Sequence, residues 1–286
     1  MSSQHIAGVR TGAFQDLPAL IIETPRCRAA ISLAGGQVLS YAPAGFDDLL
    51  WVSPATSRPP RAIRGGIPVC WPWFARQGVV PTAPQHGLVR TVPWRTTRLT
   101  NLPNGDIEIT LGLVDEMLHP MRIEQVLRVG HMLTQTLATT NTTAAPFALT
   151  EAFHTYFRVG DAEKIGITGL AGLTYLDKPS DFAKRIQTAP FQLDGECDRI
   201  YLDTQGDFSI EDPVLRRRIR LRSSGSRSLV VWNPNAEKIK TFTDIPDDGW
   251  RRYFCLEVAN AGSDVVTLLP GAVHRIEQTL SVEPLR

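Results

Sequence analysis

Short runs of alternating apolar and polar residues recur along most of the chain. This period of two is typical of β-strands, because successive side chains of a strand point to opposite faces of the sheet. The longer periods that identify amphipathic helices are scarce. The clearest runs predict strands at residues 107–113, 121–129, 131–139, 217–222 and 273–282. The pattern therefore predicts a mainly β protein.

Turn-forming residues separate these runs. The 286 residues include 22 glycines and 21 prolines, and sequences such as PNGD at 103–106 and PDDG at 246–249 are typical of tight turns. Many short strands joined by turns favour antiparallel pairing, since parallel strands need long crossover connections. We therefore expect an antiparallel β-sandwich or barrel. No internal repeat or low-complexity linker divides the sequence, so residues 1–286 are expected to form a single domain.

One of the predicted strands carries a row of arginines. Arg218, Arg220 and Arg222 share one face of the run at 217–222, and aliphatic residues occupy the other. We interpret this row as a solvated face, and contact with a phosphate or a partner is the alternative.

The charge balance and the cysteine spacing exclude several classes of protein. The 30 Lys+Arg residues and 29 Asp+Glu residues give a net charge of +1, which argues against a nucleic-acid-binding protein. No apolar stretch is long enough to span a membrane, and the N-terminal segment lacks the pattern of a signal peptide. The four cysteines show no metal-binding spacing. We therefore expect a cytoplasmic protein whose thiols are reduced and mostly buried.

The segment from residue 63 to residue 94 concentrates candidate ligand-binding side chains. Arg64 precedes two glycines, which would allow the backbone to approach a ligand closely, and its guanidinium can bind phosphate or carboxylate. Gln85, His86 and Arg90 follow within six residues of one another. Either these groups hydrogen-bond the loop backbone or they form an anion site. The tryptophans of the segment are expected in the core rather than under a sugar ring: Trp71, Trp73 and Trp94.

Two ionisable residues interrupt apolar runs elsewhere in the chain. His154 lies among aromatic residues in FALTEAFHTYFRV, and Glu257 lies in the strand-like run YFCLEVA. A buried carboxylate is costly unless it is paired or hydrogen-bonded, so burial of Glu257 would indicate a function. Burial would also raise its pKa toward the range in which a general base works well.

Taken together, these segments resemble the glucose-6-phosphate 1-epimerase (hexose-6-phosphate mutarotase) branch of the aldose 1-epimerase superfamily. The resemblance covers most of the chain, and six segments carry it: RGGIPVCWPWF (64–74), PQHGLVRTVPW (84–94), LTEAFHTYF (149–157), DRIYLDT (198–204), VVWNP (230–234) and YFCLEVAN (253–260). It implies a large antiparallel β supersandwich of the galactose mutarotase type.

The resemblance also implies an activity and the residues that perform it. The family interconverts the α and β anomers of an aldohexose 6-phosphate without a metal or an organic cofactor. Glu257 would be the general base and His154 the general acid that opens the sugar ring. Sugar-phosphate binding is implied for the remaining site residues, with His86 ranked last: Arg64, Gln85, Arg90, Asp203 and His86. The expected ligand is a small sugar phosphate, with no nucleic-acid or membrane partner, and the expected state is a monomer.

Two other functions stay open at this stage. One is a carbohydrate-binding or regulatory sandwich without turnover, which would need neither an acid nor a base at the anomeric carbon. The other is an aldose 1-epimerase that acts on unphosphorylated sugars, which would not need both Arg64 and Arg90.

Overall fold

Two large antiparallel sheets and two smaller ones make up the fold. The computed structural model describes residues 6–285. Residues 1–5 and Arg286 lie outside the described residues. Residues 1–5 begin the N-terminal segment in which no signal peptide is expected. None of the helices within residues 6–285 combines the length and the apolar character needed to cross a membrane.

The described residues form 22 strands, numbered here in chain order. They are β1 Val9–Phe14, β2 Leu17–Glu23, β3 Cys27–Ser32, β4 Gln37–Pro43, β5 Val69–Cys70, β6 Trp94–Asn101, β7 Ile107–Leu113, β8 Arg122–Val129, β9 Leu133–Thr140, β10 Phe147–Leu149, β11 Glu151–Phe153, β12 Tyr156–Arg158, β13 Gly166–Thr168, β14 Thr174–Asp177, β15 Ala183–Ile186, β16 Cys197–Leu202, β17 Asp207–Asp212, β18 Arg217–Ser224, β19 Ser228–Asn233, β20 Tyr253–Asn260, β21 Val266–Leu268 and β22 Val273–Pro284. The helical elements are short: α1 Asn235–Lys238 and the 3₁₀ turns Val89–Thr91, Lys178–Ser180, Ile239–Thr241 and Gly249–Arg252.

The strand order defines two eight-stranded sheets. Sheet 1 has the order β15-β14-β16-β19-β20-β11-β5, with β12 also paired to β20, and sheet 2 has the order β13-β17-β18-β22-β9-β8-β7-β6. A four-stranded sheet, β1-β2-β3-β4, and the pair β10-β21 complete the fold. Every pairing between these strands is antiparallel. The expectation of a mainly β, antiparallel supersandwich is confirmed, and the single-domain boundary stays a prediction.

The main apolar core lies between sheets 1 and 2. Sheet 2 contributes alternate aliphatic residues such as Ile109 and Leu137, and β20 of sheet 1 contributes Phe254, Leu256 and Val258. Because side chains alternate along a strand, the intervening residues of β20 face the other side of sheet 1. That opposite face is where the candidate site lies.

The predicted strands are all present. The run at 107–113 matches β7 at both ends, and the other four runs agree with β8, β9, β18 and β22 to within two residues at each end. The solvated interpretation of the arginine row is confirmed, because Arg218 and Arg220 both pair with Glu283 on a partly exposed face. All four cysteines are free and buried, as their apolar settings indicated.

Glycines fix the path of the loop that carries many of the predicted site residues. Gly65 has φ +112°, and a Cβ at this position would lie 2.3 Å from the carbonyl oxygen of Trp51. Gly87 has φ +79°, and its Cβ would lie 2.0 Å from the carbonyl oxygen of Trp71. The close approach expected after Arg64 is therefore real, but it is made to the protein's own backbone.

This packing predicts a large effect of one added methyl group. Gly87→Ala should lower the free energy of unfolding by about 2–5 kcal/mol, because it adds an overlap with Trp71 to left-handed backbone strain. Gly78→Ala is the matched control, since Gly78 has φ +75° but open space around it, and it should cost only about 1–2 kcal/mol. Urea unfolding of both variants measures the difference, and equal losses would contradict this role of the close contact.

Candidate active site

The register of sheet 1 places residues of three strands side by side. Glu257 of β20 lies opposite Val230 of β19, and Val230 lies opposite Ile200 of β16. In the neighbouring row, Trp232 of β19 lies opposite Asp198 of β16. All of these side chains share the face of sheet 1 that turns away from the main core, since their chain neighbours pack into that core.

His154 reaches this face at a break between two strands. β11 and β12 both pair with β20, but the ladder is interrupted at His154 and Thr155, opposite Glu257 and its neighbour. The backbone N–H of His154 donates to the carbonyl oxygen of Pro68 at 3.0 Å, and that of Thr155 donates to Phe153 at 2.9 Å. The chain therefore leaves the ladder at the point where the imidazole enters the site.

His154 and Glu257 meet although 103 positions separate them in the sequence. Nδ1 of His154 lies 3.3 Å from Oε1 of Glu257, and the two side chains are only 10% and 1% exposed. Neither Nδ1 of His154 nor Oε2 of Glu257 has a hydrogen-bond partner among the described residues. Buried polar atoms are usually hydrogen-bonded, so two unsatisfied atoms at one place distinguish this site from the rest of the core.

Burial shifts the pKa values of the two groups in opposite directions. Desolvation, reinforced by the negative charge of Asp198, raises the pKa of Glu257 well above its ordinary value. Desolvation, reinforced by the positive charges of Arg64 and Arg90, lowers the pKa of His154 well below its ordinary value. Both shifts favour the uncharged form, so the pair is best described as two coupled groups that share one proton.

Aromatic rings hold the imidazole of His154 in place. The ring of Tyr156 stacks on it with a centroid distance of 4.8 Å and an interplanar angle of 9°. His86 and Trp232 contact it edge-on at 5.4 and 5.8 Å. These contacts leave the imidazole little rotational freedom.

The pair lies in a cavity of about 630 Å³, a volume typical of a small-molecule site. Six of the seven predicted site residues line it: Arg64, Gln85, His86, Arg90, His154 and Glu257. Residues outside the strands that were not predicted also line it, among them Lys178, Glu196, Lys238 and Phe242.

The cations around the cavity differ in their partners. Three of them pair with carboxylates: Arg64 with Asp244 at 3.0 Å, Lys178 with Asp198 at 2.6 Å and Lys238 with Glu196 at 3.4 Å. Arg90 forms no ion pair with any residue between 6 and 285, and its Nη2 donates to the carbonyl oxygen of Gln85 at 2.9 Å. Arg90 therefore offers an uncompensated positive charge to a ligand.

The residues of the QHG segment have both of the roles that the sequence left open. Nδ1 of His86 accepts a hydrogen bond from the N–H of Ala75 at 3.3 Å, so this ring supports the loop backbone. His86 and Gln85 also line the cavity. Desolvation, together with the charges of His154 and Arg90, lowers the pKa of His86, which keeps its imidazole neutral.

The structure corrects the position of one predicted residue. Asp203 lies outside the cavity, beyond the end of β16, where its exposed carboxylate pairs with Arg227. Asp198 lines the cavity instead, since it shares the pocket face of β16 with Ile200. No strand was predicted at this place, but alternation in the DRIYLDT segment is the signal that could have identified Asp198, because Asp198 and Ile200 share one face of β16.

The tryptophans of the 63–94 segment do not line the cavity. Trp71 and Trp94 are buried in the main core, as expected, and Trp73 is half-buried against the loop, where its Nε1 donates to Pro84. The indole that does line the cavity belongs to Trp232, in the VVWNP segment.

One group of side chains in the site has metal-ligand geometry. Single ligand atoms of His154, Cys255 and Glu257 lie within 4.8 Å of one another, which is close enough for three ligands of one ion. The sequence-based expectation of a metal-free site stays a prediction.

The raised pKa of Glu257 predicts how stability depends on pH. The folded protein binds this proton more tightly than the unfolded chain, so stability is lost as the pH rises above the ordinary value of 4.5. Glu257→Gln should therefore raise the unfolding temperature at pH 8 by a few degrees, or about 1–2 kcal/mol, and the gain should disappear toward pH 4.

Glu108 provides the matched control for this stability prediction. It is also buried, but it pairs with Arg98 and Arg128 at 2.5 and 2.8 Å, so Glu108→Gln should give no gain at pH 8. Thermal unfolding followed by circular dichroism between pH 4 and pH 8 measures both variants. A loss of stability in Glu257→Gln at pH 8 would contradict the assignment.

Comparisons with known proteins agree with this geometry. The family model described as aldose 1-epimerase matches residues 18–281. The "putative glucose-6-phosphate 1-epimerase" of Escherichia coli (strain K12) is 33% identical over 257 residues, which cover 86% of this chain and 84% of that protein. A protein of the same name from Cenchrus ciliaris is 33% identical over 279 residues, covering 90% and 82%.

A solved structure supports the same assignment. The crystal structure of a "putative mutarotase" from Salmonella typhimurium superposes with a TM-score of 0.89 at 26% identity, covering 99% of this chain and 96% of that one. Since the family model matches more than half of the sequence, this chain belongs to the aldose 1-epimerase family.

Proposed function

We propose that the protein is a cofactor-independent 1-epimerase that interconverts the α and β anomers of D-glucose 6-phosphate or a related aldohexose 6-phosphate. The observation that carries this proposal is the buried contact of 3.3 Å between His154 and Glu257, in a cavity that also contains the unpaired guanidinium of Arg90. A module that only binds carbohydrate would have no use for a costly buried acid–base pair. The two relatives described above carry names that agree with this activity.

The proposed reaction opens and recloses the sugar ring. Glu257, as a carboxylate, removes the proton of the anomeric hydroxyl, and His154, as an imidazolium, gives a proton to the ring oxygen. The bond between C1 and the ring oxygen breaks, and an open-chain aldehyde forms. After rotation about the C1–C2 bond, the hydroxyl oxygen attacks the other face of the aldehyde. His154 then takes its proton back, and Glu257 returns its proton to O1, so protons balance over the cycle.

The opposed pKa shifts favour one of the two protonation states of this cycle. The reactive state, imidazolium with carboxylate, and the state after ring opening, imidazole with carboxylic acid, contain the same number of protons. Their interconversion therefore needs no proton from solvent. Burial favours the uncharged pair, which lowers the energy of the state that is formed with the aldehyde.

The charges around the cavity support a phosphorylated substrate. Arg90 has no carboxylate partner among the described residues. In Arg64, Nε donates to Asp244 and Nη1 donates to Tyr156, while Nη2 makes no hydrogen bond within the described residues. A phosphate dianion can accept from both guanidinium groups. We further propose that Asp198, rather than Asp203, accepts hydrogen bonds from sugar hydroxyls.

Substitution of the acid–base pair tests the proposed mechanism. Glu257→Gln and His154→Gln should each lower the enzymatic rate of anomer exchange by about 10²- to 10⁴-fold, because each removes one positioned proton transfer. Glu151→Gln is the matched control: Glu151 is fully buried and lies near His154 in sequence, but it does not line the cavity, so this variant should retain activity. NMR exchange spectroscopy on glucose 6-phosphate measures the rates. A Glu257→Gln protein with wild-type rates would disprove the mechanism.

Substitution of Arg90 tests the phosphate. Arg90→Gln should raise KM for glucose 6-phosphate by about 10- to 100-fold, the loss expected for a hydrogen bond to a charged group, and should leave any rate on glucose unchanged. Arg76→Gln is the control from the same loop, since Arg76 donates to Ala83 and does not line the cavity. If Arg90→Gln impaired both sugars equally, phosphate recognition by this residue would be excluded.

A further inference from the structure

A chain of buried hydrogen bonds runs from the residue after His154 into sheet 2. Oγ1 of Thr155 donates to Oε1 of Gln278 at 3.0 Å, and Nε2 of Gln278 donates to Oε1 of Gln135 at 2.9 Å. Nε2 of Gln135 donates to Oε1 of Gln125 at 2.7 Å, and Nε2 of Gln125 donates to the carbonyl oxygen of Gly36 at 2.6 Å. Every donor in this chain points in the same direction. Hydrogen bonds aligned in this way polarise and strengthen one another.

This chain of hydrogen bonds is fully buried. The side chains of Thr155, Gln125, Gln135 and Gln278 are 0% exposed, and the three glutamines lie on the adjacent strands β8, β9 and β22. Gln135 and Gln278 are directly opposite each other in the ladder. Each amide loses its hydration on burial, so an apolar side chain would fill the same space at lower cost.

Both ends of the chain adjoin residues of the site. Thr155 follows His154 at the break between β11 and β12, where its N–H donates to Phe153. At the other end, the residue after Gly36 is Gln37, whose Nε2 donates to the carbonyl oxygen of Gly65. Gly65 directly follows Arg64. The hydrogen bonds thus connect the backbone that carries His154 with the backbone that carries Arg64.

The apolar core cannot provide this connection with the same accuracy. Apolar contacts between sheets 1 and 2 are non-directional, so small relative shifts of the sheets change their energy little. Hydrogen bonds depend on distance and angle, and a buried donor without a partner is costly. A hydrogen-bonded chain between the sheets therefore restricts the position of Thr155 relative to sheet 2.

We propose that Thr155, Gln278, Gln135 and Gln125 are positioning residues that hold His154 at its working distance from Glu257. None of the four side chains lines the cavity. They act through the backbone of the β11–β12 break. This role rests on the proposed function, because it supposes that His154 acts as the acid.

Gln135→Met tests the role at the centre of the chain. This substitution keeps the volume of the side chain and removes its hydrogen bonds. Along the hydrogen bonds, Thr155 and Gln278 lie between Gln135 and His154. The control is Gln187→Met: Gln187 is also a buried amide, which accepts from Tyr201 at 2.7 Å and donates to Ala189 at 2.8 Å, but it belongs to neither the chain nor the cavity. Both variants should lose similar stability.

The two variants should differ in kinetics. Gln135→Met should lower kcat for glucose 6-phosphate by about 10- to 100-fold, the loss expected when a catalytic group is misplaced by an ångström, with KM within about twofold of wild type. Gln187→Met should keep the wild-type kcat. A wild-type kcat in Gln135→Met, or an equal loss in Gln187→Met, would overturn the proposal.

A second measurement does not depend on turnover. The ¹⁵N resonances of the His154 imidazole, assigned by their loss in His154→Gln, should shift in Gln135→Met and stay in place in Gln187→Met. They should also shift in Thr155→Val, which removes the hydroxyl, and not in Thr155→Ser, which keeps it. If wild type fails to turn over glucose 6-phosphate, the proposed function fails, and these resonances alone decide the positioning role. Unshifted resonances in both Gln135→Met and Thr155→Val would overturn it.

Discussion

The burial of one carboxyl group, that of Glu257, is the constraint on which the site depends. Glu257 lies on β20, a strand flanked by neighbours on both sides and buried at every position, so its carboxyl group has almost no access to bulk water. Such a group is tolerated where partners or a function offset the cost of its desolvation. Among the described residues, the imidazole of His154 lies 3.3 Å from this carboxyl group, and the positive charge of Lys178 partly offsets the rise in its pKa. The position of His154 beside Glu257 therefore provides a proton acceptor and donor for a carboxyl group that has almost no contact with water.

Strand alternation lets one strand, β20, contribute to both the core and the site. Phe254 and Leu256 fill the space between the large sheets, while Glu257 points to the opposite face. The break after β11 adds His154 to that face, and close backbone contact at Gly87 holds the loop that adds His86 and Arg90. Strand β20 therefore carries Glu257, and the break between β11 and β12 carries His154, whereas His86 and Arg90 lie on a loop.

Periodicity was sufficient to predict five of the 22 strands in the described residues, among them β7, because most apolar positions of the run at 107–113 recur with period two. The resemblance located the acid–base pair, although only the fold could bring residues 103 positions apart within 3.3 Å. Asp203 lies outside the cavity, beyond the end of β16, because the end of a strand and the face that a side chain takes depend on strand pairing. The ion pair between Lys178 and Asp198 could not be predicted either, because Lys178 lies on a loop whose path is set by tertiary contacts.

The most direct test of this account is the approach of freshly dissolved α-glucose 6-phosphate to anomeric equilibrium, followed by NMR with and without the wild-type protein, beside glucose under the same conditions. Strong acceleration is expected for the phosphate ester, and little or none for glucose. Equal acceleration of both sugars would contradict the assignment of Arg90 and Arg64 to a phosphate. Saturable binding of the ester without any acceleration would contradict the central claim that the buried pair of His154 and Glu257 opens the ring.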